Sequence, residues 1–304
     1  MDVPVLQSKT LEGLIEKLRE LPVLPAVVVR LMSISPRSDQ YFEAVLSLAE
    51  TDPPFAGMIV RGANSAASSP AEPVVTLRGA VTRLGALKIG ELVTSMAVAR
   101  VFVPHTESQR LLWVHSILVA VIAREIARLR GSEELSPESV YLAGLFHDIG
   151  RFVMFDESPV ELGAVDEAGW KTPDELIKTE QQIFGFDHAE LGWHACDHWA
   201  IPQAIAQIVR DHHSFDANGC TADAPPMKQA VACVQMADVI AVICHFHKDI
   251  LDLDEAGLIE LIGEGSADQL WNPPPVPLEM LAPRLHELLI EAEWLVASLG
   301  LRPQ

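Results

Sequence analysis

Leu142-Ala143-Gly144-Leu145-Phe146-His147-Asp148-Ile149-Gly150 is the stretch that decides how the rest of the chain is read. An apolar run at helical spacing ends in a histidine and an aspartate, and a glycine follows two residues later. An aspartate left unpaired in such surroundings costs on the order of several kcal/mol. A divalent cation offsets that cost, because carboxylate and imidazole are ordinary ligands of first-row metals.

Working outward, partners for such a site stand on four further apolar segments. His115 lies inside the run 111–129. His188 opens His188-Ala189-Glu190-Leu191-Gly192. His212-His213 follows a helical pattern over 203–209. Asp238 sits in Val234-Gln235-Met236-Ala237-Asp238-Val239-Ile240. Ligands drawn from several helices of one bundle are an established way to build a metal centre. Each residue has a plainer reading when taken singly. His147 can complement the dipole at a helix C-terminus. Asp238 can pair with a lysine or arginine, and His212-His213 can be a solvated helix end. One metal site replaces all of these separate explanations. His194 and His198 stand four apart like a helical zinc pair, but the expected role is structural and partly exposed. His245-Phe246-His247 reads as surface at a helix end.

The same helical spacing runs through the whole chain. Residues 11–18 mark a first short helix, and Leu21-Pro22-Val23-Leu24-Pro25 breaks and restarts the chain, with Pro25 suited to a first turn. Residues 42–49 form another helix, and Asp52-Pro53-Pro54 caps the next, to about residue 60. Residues 64–73 read as a loop. Helices follow over 77–84 and 89–102, joined through Gly85. A proline-rich connection at 272–277 precedes a final amphipathic helix over 278–299. No strand alternation appears. The expected class is all-α: a helical bundle with an N-terminal helical lobe packed against it. Val103-Pro104-His105 marks the boundary, giving units 1–104 and 105–304.

Composition limits the function classes. Of 304 residues 49% are hydrophobic and 6% aromatic, so a large helical core is within reach. Against 42 Asp and Glu stand 22 Lys and Arg, a formal net charge of -20. Such a surface repels phosphate backbones and anionic lipid, so neither nucleic acid nor a membrane is the expected partner. Four cysteines without a CxxC pair fit a reducing compartment. The polar start carries no signal-peptide core, and no apolar run reads as long enough to span a bilayer. The expected location is the cytoplasm. Serine-hydrolase elbows and phosphate-binding P-loops are absent from the sequence.

His115, His147-Asp148 and Asp238 together resemble the H…HD…D signature of HD-domain metal-dependent phosphohydrolases. His188 and His212-His213 resemble the longer ligand set of the HD-GYP branch, which cleaves cyclic dinucleotides. Leu21-Pro22-Val23-Leu24-Pro25, Asp52-Pro53, Asn64-Ser65 and Ala80…Leu84-Gly85 resemble the landmarks of HDOD domains, and the likeness runs from about residue 15 to about 250. The resemblance implies an HD-related output domain of bacterial signalling. It also implies two divalent cations, with Fe or Mn ahead of Ni or Zn. His115, His147, Asp148 and Asp238 would hold one, and Asp148 would bridge to a second held by His188, His212 and His213. Signalling proteins or a small phosphorylated ligand would be the partners. Three departures stand out. Arg151 replaces the lysine of the phosphodiesterases, and would be the residue that contacts phosphate. The GYP triplet is missing from residues 214–220. Leu111 stands where members with a third metal carry an acid. These departures argue against a trinuclear site and against cyclic di-GMP hydrolysis. The alternative to a regulatory protein is a metal-dependent phosphohydrolase or phosphodiesterase acting on a phosphate ester or nucleotide.

Overall fold

The computed structural model describes residues 10–22, 24–35, 38–64, 73–131, 136–170, 172–214, 221, 223–247, 249–266 and 274–301. Among them every regular element is a helix, as the apolar spacing predicts. The Ser65 landmark, most of the 64–73 loop and residues 215–220 lie outside the described residues.

The first six helices are α1 (Leu11–Leu18), α2 (Ala26–Leu31), α3 (Asp39–Thr51), α4 (Pro53–Ala63), α5 (Leu77–Leu84) and α6 (Ala86–Val101). Their starts follow from local chemistry. The side chains of Thr10, Ser38, Asp52 and Thr76 each accept an N–H of the first turn of α1, α3, α4 and α5. Gly85 separates α5 from α6 at φ +85°, a conformation that strains any side chain.

α7 (Glu107–Arg130) is the axis of the molecule. A capping box of Thr106 and Gln109 starts it, and Gly131 in the left-handed region ends it. Every residue from Ser116 to Ala127 is buried, which explains an apolar run with no polar face. Around it pack α8 (Pro137–Phe146), α14 (Pro226–Phe246) and α16 (Leu278–Ser298). Arg124 of α7 is buried between Glu91 of α6 and Glu291 of α16, with its Nη2 2.8 Å from the Glu291 carboxylate. This ion-pair cluster joins the N-terminal lobe to the bundle.

The remaining helices are α9 (Ile149–Glu157), α10 (Pro159–Glu167), α11 (Pro173–Phe184), α12 (His188–His198), α13 (Gln203–Asp211) and α15 (Glu255–Gly265). α1 departs from the other early helices and lies on α9 and α12. One expectation is corrected here. α14 is long and apolar enough to cross a bilayer by length and composition, although no such run was read from the sequence. Its apolar window is 67% buried inside the fold, as befits the core helix it forms beside α7.

Candidate metal centre

One close helix contact brings the first group of side chains together. A Cβ on Gly144 would lie 2.8 Å from the Ala120 Cα, so α8 rests directly on the backbone of α7. That contact sets His147, at the end of α8, beside His115, with 3.3 Å between their Nε2 atoms. His147 does cap its helix, as one plain reading has it: its Nδ1–H donates to the Gly144 carbonyl at 2.7 Å. The same hydrogen bond turns Nε2 inward. Asp238 of α14 pairs with His115 at 3.1 Å, and among the described residues with no lysine or arginine.

The second group forms where α9 crosses α12. A Cβ on Gly150 would come within 2.0 Å of the His188 carbonyl oxygen, so only glycine allows this approach. His188 is fully buried; its backbone N–H and its Nδ1–H both donate to Glu180 Oε2, at 2.9 and 2.6 Å. His212, also buried, donates from Nδ1 to the Val209 carbonyl at 2.6 Å. The Nε2 atom of His188 lies 3.3 Å from that of His212 and 3.0 Å from that of His213.

Asp148 stands between the groups. It precedes α9 without capping it. Its Oδ2 is 3.4 Å from His147 Nε2 and 3.8 Å from His115 Nε2, while its Oδ1 is 3.2 Å from His188 Nε2. Each trio, His115-His147-Asp148 and His188-His212-His213, offers ligand atoms within 4.8 Å of one another. The seven residues singled out in the sequence thus converge on one place.

The electrostatics fit a cation there. Five Nε2 atoms face one another, and three of the rings have Nδ1 fixed by a carbonyl or a carboxylate, the arrangement that orients metal-binding histidines. Burial drives the His212 imidazole down to about 3, helped by His147 and His188, and holds His213 well below its ordinary value. Both imidazoles are therefore neutral, each with a free lone pair suited to a metal. Burial also opposes charge on His147, but the Asp148 carboxylate outweighs it and pushes the imidazole up to about 9. Burial would raise Asp148, yet His147, His188 and His115 hold its carboxyl well below the usual range. Negative charge buried among imidazoles is compensated either by protons on those rings or by a bound cation.

Arg151 is buried and committed to carboxylates: Nη1 donates to Glu180 Oε1 at 3.2 Å and Nη2 to Asp166 Oδ1 at 2.7 Å. Glu180 is the residue that sequence reasoning missed. It lies eight positions before His188 in the polar run Thr179-Glu180-Gln181-Gln182, which marks it as surface, yet it is fully buried. His194 and His198 lie tilted against the rings of Trp193 and Trp199 and belong to neither trio. A cavity of about 410 Å³ opens onto His115, Asp148, Arg151, His213 and Asp238.

Comparison with known proteins gives the same fold. A presumed phosphohydrolase of Shewanella amazonensis SB2B superposes with a TM-score of 0.68 at 23% identity, covering 94% of this chain and 97% of that one. An HDOD domain protein of unknown function from Geobacter sulfurreducens gives 0.65 at 24% identity, covering 96% and 99%. Likeness at these identities is one of fold. An uncharacterized protein of Treponema pallidum (strain Nichols) is 22% identical over 217 residues, 71% of this chain. The chain spans 42% of the length of that curated relative. The HDOD domain model matches residues 21–215, well over half of the sequence, and the chain belongs to the HDOD domain family.

Proposed function

We propose that this is a bacterial, cytoplasmic signalling protein of the HDOD kind whose His/Asp centre holds two divalent cations as part of a regulatory output. The observation that carries the reading is the division of Asp148, one oxygen toward His115 and His147 and the other toward His188. His115, His147, Asp148 and Asp238 would hold one cation, and His188, His212 and His213 the other, with Asp148 shared. Imidazole and carboxylate donors without thiolate suit Fe or Mn, with Ni or Zn as alternatives. Residues 1–104 and 105–304 are the two units of this reading. Signalling proteins or a small phosphorylated ligand are the partners; the net charge of -20 argues against nucleic acid and membrane surfaces.

The regulatory reading is favoured over catalysis by Arg151, whose two terminal nitrogens are held by Glu180 and Asp166 and are poorly placed to receive phosphate. One observation supports the second reading, a metal-dependent phosphohydrolase or phosphodiesterase: the cavity reaches the ligand cluster from solvent. A cation bound there would lower the pKa of coordinated water and polarise a phosphoryl oxygen.

Elemental analysis of the purified chain and of Asp148→Ala, paired with a turnover screen on phosphate esters and cyclic dinucleotides, separates the cases. The expected result is about two metals per chain, loss of both in the variant, and no turnover at enzyme-like rates. A chain that takes up no metal overturns the centre. Rapid turnover abolished by Asp148→Ala replaces the regulatory reading with the hydrolytic one.

A further inference from the structure

The cavity above the His/Asp cluster has two chemically distinct halves. Its floor is the part of the cluster formed by His115, Asp148, His213 and Asp238. Its walls are apolar: Phe155, Trp170, Leu176, Val242, Ile243 and Phe246. Among the described lining residues outside the cluster and the Arg151–Asp166 pair, the polar side chains are Ser108, His245 and the indole of Trp170. At the lip, Val242 is 40% and Phe246 75% exposed. Large apolar side chains in water at the mouth of a cavity mark a place where apolar contact is expected from a ligand.

We propose that this pocket selects phosphate monoesters whose remaining part is an uncharged apolar body, alkyl or aryl, over nucleotides. The inference rests on the cations of the preceding section, because without them Asp148 and Asp238 would repel the oxyanion. The oxyanion end would lie over the floor and the apolar body along the Trp170 and Val242 walls. A nucleobase and ribose would bring several donors and acceptors against a wall with few partners, and each one left unpaired lowers affinity by roughly tenfold. The size agrees. About 410 Å³ lies near the lower end of small-molecule sites, which run from about 300 to 1,000 Å³, and suits a monoester rather than a cyclic dinucleotide.

The test is calorimetric titration of protein of measured metal content with non-hydrolysable alkylphosphonates from methyl to hexyl, with inorganic phosphate and adenosine monophosphate as comparators. Affinity is expected to rise by about fourfold per methylene, and hexylphosphonate is expected to bind more tightly than the nucleotide. Val242→Asp, at an exposed wall position outside the cluster, is expected to flatten the series while metal content stays unchanged. A flat series on metal-loaded wild-type protein, or tighter binding of adenosine monophosphate, overturns this inference and leaves the metal centre standing. A chain that retains no metal overturns the centre, and this inference with it.

Discussion

Gly150→Ala tests whether the contact between α9 and α12 builds the second half of the site. The added Cβ would lie 2.0 Å from the His188 carbonyl oxygen and 2.9 Å from the Gly192 backbone nitrogen. Both neighbours are backbone, so no side chain can swing aside. Real Cβ contacts essentially never fall below 3.0 Å, so the helices must separate by about 1 Å. Overpacking of this kind costs about 1–3 kcal/mol, and at this chain length each kcal/mol lowers the melting temperature by roughly 2–4 °C. The displacement falls on the residue that presents His188, whose hydrogen bonds to Glu180 would lengthen. Disturbing a group that orients a metal ligand weakens metal affinity by about 10–100-fold. The expected outcome is a chain that melts several degrees lower and loses about half of its bound metal. Gly163→Ala is the control: it lies within α10 with nothing within 4 Å of the added carbon, so stability should hold or rise by about 0.4–1 kcal/mol. Scanning calorimetry and elemental analysis provide the readouts. A Gly150→Ala protein with unchanged melting and full metal content would refute the reasoning.

Glu180→Gln keeps the shape but removes the carboxylate that accepts from both His188 donors; metal titration should show affinity at the second trio falling about 10–100-fold, and unchanged affinity would remove Glu180 from the positioning role. Arg124→Leu leaves Glu91 buried without its cation and should cost about 3–5 kcal/mol in urea unfolding, whereas Glu91→Leu/Arg124→Leu should recover most of it; a double variant no better than the single one would contradict this account. Asp52 caps α4 and accepts from Arg100 at 2.7 Å, so Asp52→Ala should cost about 1 kcal/mol. The Arg100 hydrogen bond holds the Asp52 carboxyl below its ordinary value. That contribution is therefore present above the unfolded carboxylate pKa of about 3.9 and lost as pH falls through the lower folded value. Urea midpoints of wild type and variant should converge in acid, and a gap independent of pH would count against it.

How legible each part was in the sequence depended on whether its signal was local. Helix positions were readable because apolar spacing and signals such as the Asp52 cap and the Gly85 break act within a few residues of themselves. Five histidines and two aspartates stranded in apolar runs were conspicuous for the same reason, and all seven converge in space. Glu180 was hidden because its polarity looks normal for an exposed helix, and the partners that enclose it, Arg151 and His188, lie 29 and eight residues away along the chain. The committed state of Arg151 was hidden likewise, since Asp166 and Glu180 lie 15 and 29 residues away along the chain. Gln235 and Asp238 disguise α14 in the sequence, although its length and mean hydropathy suit a bilayer crossing.

Placing α1 on the bundle rather than with α2–α6 has a mechanical consequence. α1 packs on both α9 and α12, the pair that Gly150 allows to touch. Just beyond α1, the carbonyl of Pro22 accepts from Trp199 Nε1 at 3.2 Å, at the C-terminal end of α12. The helix that begins with His188 is therefore held by N-terminal residues along its length, while Glu180 fixes its first residue. A rigid helix held at one end by a ligand cluster and along its side by another segment transmits displacement between them, because close-packed interiors deform little. Occupancy of the second trio and the seating of the N-terminal segment thus bear on the same element. The regulatory reading therefore predicts that metal occupancy and the seating of α1 are coupled, and a Trp199→Phe variant with unchanged metal affinity would count against that coupling.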